Sequence, residues 1–144
     1  MTNTSFLVDL DIFKISMPFR MQISGASGSG KSTIIGEFLR FRKEMFPEAF
    51  ARVILCYPFS DVSIYSRKKI DKYRQYYPSI QEHDGLPNVH QMHILGKKDE
   101  HVLLIIDDLS AELFKSPDMA HLFSNVSSHE RISVMVPHKK ISVN

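Results

Sequence analysis

Gly25, Gly30, Lys31 and Ser32 stand at the spacing G-x-x-x-x-G-K-[ST] within Gly25-Ala26-Ser27-Gly28-Ser29-Gly30-Lys31-Ser32. These residue types at this spacing make an anion cradle. Glycines let the loop curl so that backbone N–H groups point inward at phosphates, the Lys31 ammonium reaches the outer phosphates, and the Ser32 hydroxyl can ligate Mg²⁺. The expected nucleotide contacts run through Gly25, Ala26, Ser27, Gly28, Ser29, Gly30, Lys31, Ser32 and Thr33, with a nucleoside triphosphate such as ATP as ligand. A random match in a chain this short is of order one in a hundred.

A second constellation lies at Val102-Leu103-Leu104-Ile105-Ile106-Asp107-Asp108, a continuous apolar run followed by two acids. The run reads as a parallel strand buried on both faces, and its carboxyl end is where open α/β sheets place ligands. Asp107 would face the Mg²⁺ together with Ser32, and Asp108 would orient or deprotonate an attacking water. Asp108 as a simple helix cap is the plainer alternative.

These residues need elements to hold them. Residues 19–24 alternate as a strand does, and Ile34, Ile35, Phe38, Leu39, Phe41 and Met45 recur at helical spacing until Pro47. The helix N-terminus adds free N–H groups and partial positive charge to the anion site. Residues 52–57 form a further strand ended by Pro58. Ser116 and Pro117 read as N-cap and first residue of a helix carrying Met119, Leu122, Phe123 and Val126 on one side. Residues 132–136 make a last strand closed by Pro137, and residues 78–101 a long connection with a short strand at 92–95.

The chain of 144 residues, 43% apolar and 24% charged, has an ordinary globular balance and the length of one domain spanning 1–144. Within it, 1–18 read as an N-terminal extension and 137–144 as a divergent tail. One cysteine, Cys56, permits no internal disulfide, and no leader or long apolar run is seen. The expectation is a soluble intracellular protein, nuclear or cytoplasmic, with no membrane partner.

The net charge of +2 hides an asymmetry: residues 31–80 carry ten Lys/Arg against five acids, residues 81–144 six against nine. The densest basic stretch, residues 65–77, interleaves cations with tyrosines in a way that suits nucleic-acid contact, although a solvated helix face explains the same pattern. His90 and His93, with His83 and Asp84 nearby, lack a thiol or fourth ligand at structural-zinc spacing. Cys56 reads as a small buried hydrophobe.

The strand and loop from Met21 to Ser32, the strand ending Cys56-Tyr57, Asp84-Gly85-Leu86-Pro87, the acid strand Asp107-Asp108-Leu109, and the stretch Leu122 to Val134 together resemble the genome-packaging ATPases of Polinton/Maverick elements, virophages and large DNA viruses. The resemblance covers roughly residues 17–136. It implies an additional-strand, RecA-like ATPase of the FtsK–HerA superfamily: an α/β, three-layer P-loop NTPase with a mostly parallel sheet. It further implies a homo-oligomeric ring, a hexamer, that uses ATP and Mg²⁺ to drive double-stranded DNA into a shell of capsid proteins.

On matching positions Lys31 would stabilise the transferring phosphoryl group and Asp108 would be the catalytic acid. Arg131 is a candidate to act across a subunit interface, or else to pair with Glu130 or Asp118. Members of the family follow the last strand here with a polar sensor and a further strand, whereas this chain reads Val136-Pro137-His138-Lys139-Lys140 and stops at Asn144. The expectation is therefore a sheet lacking its last strand, with residues 19–24 at its edge, covered by residues 6–15 or by a partner. Two alternatives stand beside the motor: a truncated nucleotide-binding protein with little or no hydrolysis, and a small nucleoside or nucleotide kinase-like phosphotransferase. The latter needs an arginine-bearing lid, and Arg131 is the only arginine after Arg74.

Overall fold

The computed structural model describes residues 14–25, 30–61, 64–88, 100–107, 111–123 and 131–139. In chain order these form β1 (Arg20–Gly25), α1 (Lys31–Arg40), α2 (Arg42–Met45), β2 (Arg52–Tyr57), a single 3₁₀ turn (Phe59–Asp61), α3 (Ile64–Tyr76), β3 (Gln81–Asp84), β4 (Val102–Ile106), α4 (Ala111–Phe114), α5 (Pro117–His121) and β5 (Ile132–Lys139). The strands make one sheet in the order β1-β5-β4-β2-β3, and every pairing is parallel.

Parallel neighbours need crossovers, and the crossovers here cover both faces of the sheet. Alternation along the strands sorts the core accordingly. Val53, Leu55, Leu103, Ile105 and Met135 pack with Ile35 and Leu39 of α1, Ile70 and Tyr73 of α3, and the ring cluster Phe19, Phe46 and Phe50. Ile54, Cys56, Leu104, Ile106, Val134 and Val136 face the other way, against Met119 and Leu122. The result is the expected three-layer α/β architecture, and the runs in β2 and β4 are hydrophobic throughout because both of their faces are covered.

The helix over residues 34–45 divides. α1 ends at Phe41, whose N–H bonds the Glu37 carbonyl, and α2 adds one more turn. Ser116 caps α5 as its sequence predicts: its Oγ accepts from the Met119 N–H at 3.3 Å, with Pro117 behind it.

Two expectations need correction. Pro137 does not close the last strand: β5 runs on to Lys139, with Ile23 opposite Pro137. The Val134 N–H bonds the Phe19 carbonyl, so by alternation position 137 turns its missing N–H toward β4, where the ladder has already ended at Ile105 opposite Met135. The proline therefore removes no ladder bond. Residues 78–101 likewise contain a strand that hydrophobic patterning misses. β3 is the polar segment Gln-Glu-His-Asp and, among the described residues, pairs with β2 alone, held by its ladder rather than by an apolar face. The strand expected at 92–95 lies outside the described residues.

Among the described residues β1 pairs only with β5 and forms one edge of the sheet. Met21 and Ile23 pack into the core, while Arg20, Gln22 and Ser24 are exposed. The edge position expected for residues 19–24 is thus observed. Just before it, Ile15 donates its N–H to the Met45 carbonyl at 2.8 Å, tying the entering chain to α2.

Candidate functional site

The chemistry-bearing residues gather at the carboxyl ends of the parallel strands. β1 ends at Gly25, and α1 begins at Lys31 after Gly30. Gly30 sits at φ 92°, ψ 16°, the left-handed region in which a Cβ is strained. A Cβ there would meet nothing within 4 Å, so the demand for glycine is conformational rather than steric.

Among the described residues no side chain caps the N-terminus of α1, and its first turn holds no acid. The positive end of its dipole suits an anion. The Lys31 ammonium donates to the Gly25 carbonyl at 2.6 Å, which lays the side chain back toward the end of β1. Ala26, Ser27, Gly28 and Ser29 lie outside the described residues.

On the other side of β5, β4 delivers Asp107. The backbone N–H of Asp107 bonds the Cys56 carbonyl at 2.8 Å, carrying the β2–β4 ladder one residue beyond the strand and fixing where the carboxylate starts. Its Oδ2 accepts from the Lys69 ammonium of α3 at 2.9 Å, and the two side chains are only 10% and 15% exposed. One turn further along α3, the Lys72 ammonium donates to Thr33 Oγ1 at 3.0 Å. α3 thus reaches both halves of the site.

The residues present fit a triphosphate with a divalent cation. The start of α1 and the Lys31 ammonium could serve phosphates, and the Asp107 carboxylate already holds the Lys69 ammonium. Ser32 and Asp107 are the residues that would hold Mg²⁺. Among the described residues no group of three His, Cys, Asp or Glu is placed to bind a metal unaided. His83 instead contacts the Gly85 carbonyl at 3.1 Å, and His90 and His93 lie outside the described residues. Asp108 does too.

Lys69 is the site residue that sequence reasoning missed. It sits in the basic stretch considered for nucleic acid, and much of that stretch is spent inside the fold. Arg74 and Arg67 pair with Glu82 at 2.6 and 3.6 Å, Lys69 and Lys72 turn toward the site, and Tyr73 is fully buried. Tyr57 also donates to Glu82, and burial, followed by that bond, pushes the phenol up to about 12. Glu82 is held below its ordinary value chiefly by the same hydrogen bond. The available signal was the i, i+3 spacing of Lys69 and Lys72 around the apolar Ile70 and Tyr73, which puts both lysines beside the packed face of the helix.

Arg131 lies elsewhere. It precedes β5, at the amino ends of the strands, with φ 54°, and its guanidinium pairs with Glu48 at 2.8 Å rather than with Asp118. Glu130 lies outside the described residues. Glu48 also accepts from His101 Nδ1 at 3.0 Å, His101 Nε2 faces Ser133 Oγ at 3.4 Å, and that Oγ accepts the Phe19 N–H at 3.1 Å. With Ser133 fully buried and His101 4% exposed, the serine and histidine of this Ser-His-Glu relay are sealed from substrate, and the relay ties β1, β4 and β5 together. Cys56 is fully buried as well, and burial pushes its thiol up to about 12, so it is no nucleophile.

Among the described residues, no helix is long and apolar enough to cross a membrane. None of the curated proteins matches the sequence. A family does: the sequence matches the Poxvirus A32 protein family over residues 12–142. That span holds the phosphate loop, the acid strand and the strand between them, and on it the chain belongs to the poxvirus A32 protein family, which is related to viral genome-packaging ATPases.

Proposed function

We propose that this chain is the ATPase core of a DNA-packaging motor of the Polinton and large-DNA-virus type within the FtsK–HerA superfamily, coupling ATP hydrolysis to movement of double-stranded DNA into a capsid. The observation that carries the reading is the position of β5 between the phosphate-loop strand and the acid strand. That inserted strand sets the end of β1 and the end of β4 one strand apart, which supports a site shared by a phosphate loop and a separate acid. A kinase-like phosphotransferase is disfavoured, because the one arginine after Arg74 is paired with Glu48 at the amino ends of the strands rather than set over the phosphates.

In this reading the loop from Gly25 to Ser32, with Thr33, cradles the triphosphate. Lys31 leaves the Gly25 carbonyl for the outer phosphates, and Asp108 orients the attacking water. Mg²⁺, when bound by Ser32 and Asp107, neutralises charge developing on the phosphoryl oxygens. Arg131 acts, if across a ring of identical subunits, on a neighbour's nucleotide, since its own site is at the far end of the sheet.

The test is Mg²⁺-dependent ATP hydrolysis by the purified chain, with and without double-stranded DNA, beside Lys31→Ala and Asp108→Asn. DNA-stimulated turnover lost in both variants, with nucleotide binding lost only in Lys31→Ala, supports the motor. ATP binding without turnover would leave a nucleotide-binding subunit, and unchanged binding in Lys31→Ala would overturn the loop assignment.

A further inference from the structure

The cation seated on Asp107 belongs to the protein. Lys69 reaches across from α3 to within 2.9 Å of Oδ2, and both side chains are nearly shielded from water. An ion pair so placed is weakly screened, so removing either partner takes a close, nearly water-shielded contact from the other. The same carboxylate is the residue that fits a divalent cation, and an oxygen engaged by an ammonium is not free to ligate Mg²⁺.

α3 is not loosely hung. Lys72, three residues on, bonds Thr33 next to Ser32, and α3 lies so close on α1 that a Cβ at Gly36 would touch Lys72 Cε and the Tyr76 ring at 3.7 Å. The helix is therefore positioned against both the acid strand and the phosphate-loop helix.

We propose that Lys69 is a positioning residue that competes with Mg²⁺ for Asp107. It orients the carboxylate while no divalent cation is bound and sets the Mg²⁺ concentration at which the site loads. On loading, the Lys69–Asp107 pair opens, and α3 carries that change to the rest of the chain. This rests on the nucleotide-site reading above.

The experiment follows binding of a fluorescent ATP analogue to the intact chain as Mg²⁺ is titrated, with thermal unfolding in parallel. Lys69→Gln should lower the half-saturating Mg²⁺ by about fivefold or more, the low end of a typical coupling between sites. Lys69→Arg, with its bidentate fork, should raise it. Unfolding of Lys69→Gln should be earlier than wild type without Mg²⁺, and recover with Mg²⁺ and nucleotide by more than wild type gains. An unchanged or raised Mg²⁺ requirement in Lys69→Gln overturns the proposal, as does an unchanged one in Lys69→Arg should the glutamine variant fail to fold. Wild-type chain that binds no analogue at any Mg²⁺ concentration overturns the nucleotide-site reading itself, whereas binding with identical Mg²⁺ dependence in all variants overturns only the role of Lys69.

Discussion

Gly30 holds a backbone conformation that L side chains avoid, in open space. Gly30→Ala should therefore cost about 1–2 kcal/mol in urea unfolding and weaken triphosphate binding, since the loop can no longer present its N–H groups in the same directions. A second consequence at this scale concerns pH. Burial holds His101 below its ordinary 6.5, against the pull of Glu48, and Glu48 is held below its ordinary 4.5, first by the bond from His101 and then by Arg131. Both groups bind fewer protons folded than unfolded, so both lose stability as pH falls. Urea midpoints should begin to drop below about pH 6.5, where unfolded histidine takes up its proton, and drop again below 4.5 as Glu48 follows. His101→Gln should flatten the first part of that fall.

At the scale of elements, what was legible in the sequence tracks what the element buries. β2 and β4 declare themselves because both of their faces are covered, and α5 because Ser116 and Pro117 spell its start. β3 does not, since a polar four-residue edge strand is specified by its ladder to β2 and not by its side chains. The site divides in the same way. Gly30 ahead of α1 and Asp107 after β4 stand where local spacing put them, whereas Lys69 lies 38 residues away from Asp107 in the chain and only the fold brings them together. That packing is itself testable. The contacts awaiting a Cβ at Gly36 are ordinary van der Waals distances, so Gly36→Ala should stabilise the chain by about 0.5–1 kcal/mol through helix propensity without prying α3 off α1. Ser116→Ala should cost about 1 kcal/mol in the same measurement.

For the molecule as a whole, the two-sided core makes the central strands the least tolerant of change: Ile105→Ala, fully buried in β4, should cost about 2–5 kcal/mol in urea unfolding. The strand order has a further effect, in time rather than in energy. β1 is made well before β5, its one strand partner among the described residues, and the bond from Phe19 N–H to Ser133 Oγ spans 114 residues. Among the described strands every pairing is parallel, so none of them forms a hairpin along the way. A ribosome must therefore release residues 132–139 before the phosphate loop can be anchored to the acid strand. Until then β2, β3 and β4 can assemble while β1 waits, so a nascent chain should gain affinity for nucleotide late and in a single step, once β5 threads between the two halves of the site.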